Sequence, residues 1–144
     1  MGKKRIVKKK GGGMNQGLKS RSLSRVPKKR MEAGILHIKA TYNNTILTLT
    51  DKEGGAVIFS SCGALGFSGA RKGTPFAAAK VGELVGEKAA LIGVKDVDVV
   101  IKGVGSGRES SLRAFSSKGI KIKTIKDMTP IPFNGPRAKK PRRV

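Results

Sequence analysis

The stretch that decides the fold is VKDVDVVIKGVGSGRESSLRAFSSKGIKIKTIKD, residues 94–127. It opens with an apolar, β-branched run that predicts a strand over 94–103. A glycine-rich turn then leads into a short predicted helix at 108–119, and 120–127 again has the pattern of a strand. A strand–helix–strand unit implies a right-handed crossover and parallel pairing of its strands. The stretch therefore predicts an α/β fold.

Residues 34–61 predict a three-stranded antiparallel meander before that unit. GILHIKA and TILTLTD have strand patterns, and TYNN between them is typical of a turn. KEGG separates the second strand from AVIFSS, which favours a hairpin. Three of the predicted strands therefore precede the crossover unit.

One long helix is predicted over 74–93, between the meander and the crossover unit. Thr74 can cap it, Pro75 suits the first helical position, and Gly93 can end it. The predicted order is βββαβαβ, a single α/β domain with a five-stranded mixed sheet and two helices. About 95 residues can bury one modest core.

A row of small residues runs along the predicted long helix. Gly82 and Gly86 each cost about 1 kcal/mol of helix propensity relative to alanine. Together with Ala78 and Ala90 they predict close packing of this helix on the sheet.

Positive charge is concentrated at the two ends of the chain. Of 144 residues, 31 are Lys or Arg and 9 are Asp or Glu, a net charge of +22. Residues 1–30 and 128–144 hold 17 of the basic residues and no acidic one, whereas all nine acids lie in 31–127. We therefore predict an α/β body at 31–127 between basic tails that are disordered when free and order on a polyanion.

Nucleic acid is the polyanion that this pattern favours. Neither tail shows an amphipathic helix rich in Trp, Phe or Leu, so we expect no membrane partner. The N-terminus lacks the apolar segment of a secretion signal, and the single cysteine, Cys62, suits a reducing compartment. We expect a cytoplasmic location.

Enzymatic chemistry finds little support. GVGSGR has the spacing G-x-G-x-G, whereas a dinucleotide fingerprint needs G-x-G-x-x-G and a P-loop needs G-x-x-x-x-G-K-[ST]. His37 and Cys62 are the only residues of their kinds, which disfavours a zinc site. Asp96 and Asp98 share one strand face and could hold Mg²⁺, but a solvated strand face explains them better. We expect no catalytic residue, no metal and no cofactor.

The glycine-rich loop nevertheless predicts contact with phosphate. Glycines allow backbone N–H groups to approach an anion, a helix begins there, and Arg108 adds a bidentate donor. Arg71 and Lys72 repeat the arrangement before the long helix. The chain has no helix-turn-helix, zinc-finger or zipper pattern and few aromatic residues, so backbone and shape recognition of structured RNA is favoured over DNA.

Several of these stretches together resemble one family, the small-subunit ribosomal protein S11 family. The resemblance covers about 31–144 and rests on GILHIKATYNNTILTLTD, GFSGARKGTPFAAA, IKGVGSGRESSLRAF, and DMTPIPFNGPR with the basic end KKPRRV. It implies a ribonuclease H-like architecture without catalytic carboxylates and a structural role in the small ribosomal subunit.

The resemblance also implies the partners and the contact residues. The partners would be small-subunit rRNA in the platform, platform proteins six and eighteen, and messenger RNA near its exit path, in a cytoplasmic or organelle ribosome. The implied RNA contacts are Asn43, Asn44, Thr45, Ser68, Arg71, Lys72, Gly105, Gly107 and Arg108 in the body, and Asn134, Gly135, Arg137, Lys139, Lys140, Arg142 and Arg143 in the C-terminal tail.

Overall fold

The computed structural model describes residues 15–141, so Arg142 and Arg143 lie outside the described residues. The predicted order βββαβαβ is confirmed, with boundaries that move by at most three residues. The strands are β1 (Ala33–Ala40), β2 (Thr45–Thr50), β3 (Ala56–Ser61), β4 (Asp96–Lys102) and β5 (Lys121–Asp127). The α-helices are α1 (Gln16–Ser24), α2 (Pro75–Ile92) and α3 (Gly107–Ser116), and two short 3-10 segments cover Gly63–Leu65 and Gly69–Gly73.

The five strands form one mixed sheet in the order β3-β2-β1-β4-β5. β1 pairs antiparallel with β2, and β2 with β3, which confirms the meander. β4 lies parallel to both β1 and β5, as the crossover unit predicts. The mixed sheet is therefore confirmed, while the likeness to ribonuclease H stays a prediction.

The core lies between one face of the sheet and helices α2 and α3. Alternate side chains on the central strands point to this face and are buried, as the period-two pattern requires. Thr74 caps α2 by accepting a hydrogen bond from the N–H of Ala77 at 3.3 Å, and Gly93 ends the helix in the left-handed conformation. The large apolar residues that the strands bury there are Leu36, Ile38, Leu47, Leu49, Ile58, Val97, Val99 and Ile101.

Gly82 and Gly86 of the small-residue row face α3 rather than the sheet, and Ala90 is exposed, so the prediction that the row packs on the sheet is wrong. A Cβ on Gly82 would overlap the carbonyl oxygen of Ser111, and one on Gly86 would lie 2.8 Å from the Cγ of Lys118. The two helices pack closely because α2 carries no side chain at these positions. Sequence periodicity shows that a face is apolar or small but does not show which element covers it.

A third helix, α1, occurs where only a basic tail was predicted, so the count of two helices is corrected to three. Asn15 caps α1 by accepting a hydrogen bond from the N–H of Gly17 at 3.0 Å. Leu23 packs against the core, and Lys19 lies 3.5 Å from Glu87 of α2. The nine-residue helix has no apolar face of its own, so periodicity could not reveal it. No helix of the described residues is long and apolar enough to cross a membrane.

Candidate nucleic-acid interface

Three predicted RNA-contact segments meet at one end of the sheet. They are the β1–β2 turn (41–44), the segment before α2 (68–73), and the β4–α3 loop with the first two residues of α3 (103–108). We refer to them together as the loop surface. β1 and β4 are parallel, so the turns that follow them lie side by side. The hydroxyl of Ser106 donates to the carbonyl oxygen of Gly73 at 2.9 Å and ties the second segment to the third. Sequence spacing does not reveal this contact.

Glycines join these segments by direct backbone contact. A Cβ on Gly73 would overlap the carbonyl oxygen of Tyr42, and one on Gly105 would overlap that of Thr41. Gly103 adopts a φ of +99° and lies against the backbone of Ala40. Only glycine allows this approach without moving the neighbouring backbone. The glycines therefore shape the loop surface by allowing the backbones of its three segments to contact each other and the end of β1.

The amide groups of the glycine loop are partly occupied within the protein. The N–H of Gly105 donates to the carbonyl oxygen of Ala40 at 3.0 Å, and the N–H of Gly103 donates to the hydroxyl of Thr129 at 3.2 Å. These two amides are not directed at a ligand. The part of the prediction that has glycine amides cradling a phosphate is therefore revised.

Three of the predicted contact residues are buried in the protein. Thr45 is fully buried, and Gly105 and Gly107 are also buried. A Cβ on Gly107 would overlap the hydroxyl of Thr45, so these two residues pack on each other. Their place in the structure favours a role in shaping the loop surface rather than in touching RNA.

Arg71 is the exposed cation of the second segment, next to exposed Ser68. No carboxylate among residues 15–141 lies within ion-pair distance of Arg71. Its carbonyl oxygen accepts a hydrogen bond from the hydroxyl of Thr74 at 2.7 Å, which fixes its backbone at the start of α2. Lys72 is half-buried beside Gly63. Arg71 is thus held at a fixed position with its guanidinium available to an anion.

Arg108, by contrast, is engaged by Asp127 at the end of β5. The hydroxyl of Thr129 donates to Asp127 at 2.6 Å, and the N–H of Thr129 donates at 3.0 Å. These hydrogen bonds are the main reason that the pKa of Asp127 lies below its usual value, and the positive charge of the nearby Arg108 lowers it further. Arg108 therefore contributes less free positive charge to the surface than its position in the sequence suggests.

The β1–β2 turn presents Asn43 to solvent. The hydroxyl of Thr41 donates to the carbonyl oxygen of Asn44 at 3.0 Å and accepts from its N–H at 3.1 Å. Asn43 is exposed and Asn44 is half-buried. The turn is thus closed by its own hydrogen bonds, and Asn43 is the more accessible of the two predicted contacts.

The C-terminal segment leaves the body beside the loop surface. The N–H of Met128 donates to the carbonyl oxygen of Ile101 at 2.8 Å, and the chain from 130 to 141 is exposed and has no regular element. Phe133 is 94% exposed, and Asn134 bends the chain with a φ of 55°. Five predicted contacts lie on this exposed segment: Asn134, Gly135, Arg137, Lys139 and Lys140.

The polar residues weighed for enzyme chemistry have structural partners. Lys123 lies 2.9 Å from Asp96 and lowers its pKa, while the hydroxyl of Thr124 donates to Asp98 at 2.7 Å. Burial is the main reason that the pKa of His37 is lowered, and the positive charge of the nearby Lys102 lowers it further. Residues 15–141 contain no group of three His, Cys, Asp or Glu side chains that could hold a metal ion.

Comparison with known proteins gives one consistent family. Residues 34–143 match the family described as Ribosomal protein S11. The chain is 50% identical over 122 residues to the small ribosomal subunit protein uS11 of Thermosipho melanesiensis and to that of Thermosipho africanus, covering 85% of this chain and 95% of each relative. It is 49% identical over 126 residues to the uS11 protein of Solibacter usitatus, covering 88% of this chain and 93% of the relative.

Proposed function

The chain belongs to the ribosomal protein S11 family, a structural and non-enzymatic component of the small ribosomal subunit, and from this premise we propose that it binds small-subunit rRNA through the loop surface and the C-terminal segment. The observation that carries the proposal is the convergence of three separate sequence segments and the start of the tail at one end of the sheet.

The charge of this region supports a phosphate-rich partner. Arg71 is exposed and unpaired by the described carboxylates, and Arg137, Lys139 and Lys140 follow on an exposed, extended chain. Two acids lie beside the loop surface in the described part of the chain: Asp127, which is paired with Arg108, and the exposed Glu109 in the first turn of α3. Lys and Arg contacts to phosphate position a protein on RNA, and they make its affinity depend on salt.

The contact residues divide into two groups. Those exposed or half-buried would touch RNA: Asn43, Asn44, Ser68, Arg71, Lys72, Arg108, Asn134, Gly135, Arg137, Lys139 and Lys140, with Arg142 and Arg143 continuing the tail. Thr45, Gly105 and Gly107 would hold the surface in shape from beneath.

The finer assignment follows from the family resemblance. The protein would lie in the platform of the subunit, beside platform proteins six and eighteen and near the exit path of messenger RNA. The ribosome would be cytoplasmic or that of an organelle.

A salt titration of RNA binding tests the electrostatic part of the proposal. If about ten phosphates are neutralised, log K measured by filter binding to small-subunit rRNA should fall with log salt at a slope of about −7 to −9. A slope near −2 would contradict the proposal. Equal affinity for duplex DNA in competition would also count against it, because shape recognition of structured RNA should favour the rRNA.

A matched pair of variants tests the location of the interface. Arg71→Gln removes an exposed cation of the loop surface, and Lys52→Gln removes an exposed cation from the hairpin at the opposite end of the sheet. Arg71→Gln should weaken rRNA binding by about 1–3 kcal/mol and make the salt slope shallower by about 1. Equal effects of the two substitutions would show that binding is not localised at the loop surface.

A further inference from the structure

A second basic site lies away from the loop surface, beside the edge strand β3. It is a cavity of about 480 Å³ between α1, the chain that follows α1, and β3. Ten residues line it: Leu18, Arg21, Ser22, Arg25, Pro27, Val57, Ile58, Phe59, Ala64 and Lys88. We refer to it as the flank cavity.

Two polar side chains that line the flank cavity, Lys88 and Ser22, have no partner among the described residues. Lys88 of α2 is only 6% exposed, and no carboxylate among residues 15–141 lies within ion-pair distance of it. Burial lowers the pKa of Lys88. The Oγ of Ser22 is buried and has no hydrogen-bond partner within the described residues. A buried hydroxyl is normally hydrogen-bonded and a largely buried lysine normally lies near a carboxylate, so both side chains point to a missing ligand.

The charge of the lining defines the ligand as an anion. Arg21 and Arg25 line the flank cavity together with Lys88, and none of its ten residues is acidic. The chain's own ends do not supply an acidic side chain, because residues 1–30 and 128–144 contain no Asp or Glu. An anionic group of another molecule would supply the missing counter-charge.

The free edge of β3 adds hydrogen-bonding groups and an aromatic surface. The N–H of Cys62 donates to the carbonyl oxygen of Thr45 at 3.1 Å, and Ser60 is paired with Leu47. Hydrogen-bonded pairs alternate with non-bonded pairs in an antiparallel ladder, so the backbone N–H and C=O of Phe59 point away from β2. Phe59 is also 62% exposed. Aromatic side chains next to cations are the arrangement that proteins use to hold successive nucleotides.

We propose that the flank cavity is a second RNA-binding site, in which one backbone phosphate contacts Lys88, Arg21 and Arg25 while a neighbouring base stacks on Phe59. This proposal rests on the proposed RNA-binding function. It extends that function to the side of the molecule formed by α1 and β3. An RNA ligand accounts for the exposed aromatic ring as well as for the three cations, whereas an acidic peptide accounts only for the cations.

Substitution of the buried lysine is the central test. Lys88→Met keeps most of the side-chain volume and removes the unpaired buried charge, so the melting temperature of the full chain should stay equal or rise. Filter binding to small-subunit rRNA should weaken about tenfold, and the salt slope should become shallower by about 1. Lys52→Met, at an exposed position outside the flank cavity, is the control and should change neither quantity.

Two further variants separate the parts of the site. Arg25→Gln changes an exposed side chain, so it should weaken binding and reduce the slope without affecting folding. Phe59→Leu should weaken binding with an unchanged slope, because stacking releases no counterions.

The outcomes distinguish this site from the loop surface. Unchanged affinity and slope in Lys88→Met and Arg25→Gln, together with weaker binding in Arg71→Gln, would overturn the flank cavity as an RNA site and leave the loop surface intact. A slope near −2 for the unsubstituted chain would overturn the proposed function as a whole. Binding of an oligoglutamate peptide that Lys88→Met abolishes, with rRNA binding unaffected, would overturn the RNA assignment in favour of an acidic protein.

Discussion

Two glycines of the β4–α3 loop pack against the protein's own backbone and form hydrogen bonds within the protein. Gly103 and Gly105 lie against the ends of β1, and their N–H groups donate to Thr129 and Ala40. The loop therefore resembles a phosphate-binding loop in composition while its glycines perform a packing role. Under the proposed function, exposed cations such as Arg71 attract the RNA.

Gly105→Ala should destabilise the protein by about 2–4 kcal/mol, because the new methyl group would overlap the carbonyl oxygen of Thr41. Gly63→Ala is the matched control, since its Cβ would meet only the side chain of Lys72 at 3.7 Å and, 4.0 Å away, that of Ser61. Urea unfolding measures both variants. Similar stabilities for the two would contradict the close backbone approach.

Three carboxylates with lowered pKa values should make stability depend on acidic pH. A hydrogen bond from Lys29 lowers the pKa of Asp51, one from Lys123 lowers that of Asp96, and one from Thr129 lowers that of Asp127. Because each native pKa is depressed, the contribution is complete above the unfolded value of about 3.9 and is lost as pH falls through the native values.

Urea unfolding at pH values from about 6 down to about 2 measures this dependence. Asp96→Asn should make the free energy of unfolding depend less steeply on pH, because it removes one of the three titrating groups. A stability that is constant over this range would show that the three carboxylates have the same pKa in the folded and unfolded states.

At the scale of elements, the contact between α2 and α3 depends on residues that weaken an isolated helix. Gly82 lies against the backbone of Ser111, and Gly86 lies near the carbonyl oxygen of Phe115. The helix propensity lost at each glycine is offset by closer packing of the two helices, which together cover one face of the sheet.

Gly82→Ala should therefore destabilise the protein by about 1–3 kcal/mol, although helix propensity alone predicts a gain of about 1 kcal/mol. The Cβ would overlap the carbonyl oxygen of Ser111. Gly86→Ala is the comparison, and its cost should be smaller because the nearest atom belongs to the flexible side chain of Lys118. Thermal unfolding followed by circular dichroism gives both values, and a stabilised Gly82→Ala would contradict the packing.

At the scale of the whole molecule, the body and the C-terminal segment should behave independently. Residues 130–141 are exposed. They follow an anchor at 128–129, where the N–H of Met128 donates to the carbonyl oxygen of Ile101. Removal of residues 132–144 should leave the melting temperature unchanged. It should make the salt slope of rRNA binding shallower by about 3 to 5, because five basic residues are lost.

A comparison of the truncated and full chains in calorimetry and filter binding checks both expectations. A lower melting temperature would mean that the segment stabilises the body. An unchanged slope would mean that its cations do not contact phosphate in the complex.

The sequence by itself determined the order of the elements from β1 to β5, the mixed sheet and the basic ends. Residues 94–127 and the cap formed by Thr74 and Pro75 are local signals, since alternation, capping and glycine termination act within a few residues. The block order also sufficed to recognise the family. Net charge follows directly from composition.

Only the tertiary structure decided which segments meet. It packed the small-residue row of α2 on α3, paired Arg108 with Asp127, and buried Thr45 under Gly107. It also folded α1 against Glu87 and left Lys88 without a counter-charge in the described chain. These contacts join residues far apart in sequence, and their energies depend on distance and burial, which no local pattern records.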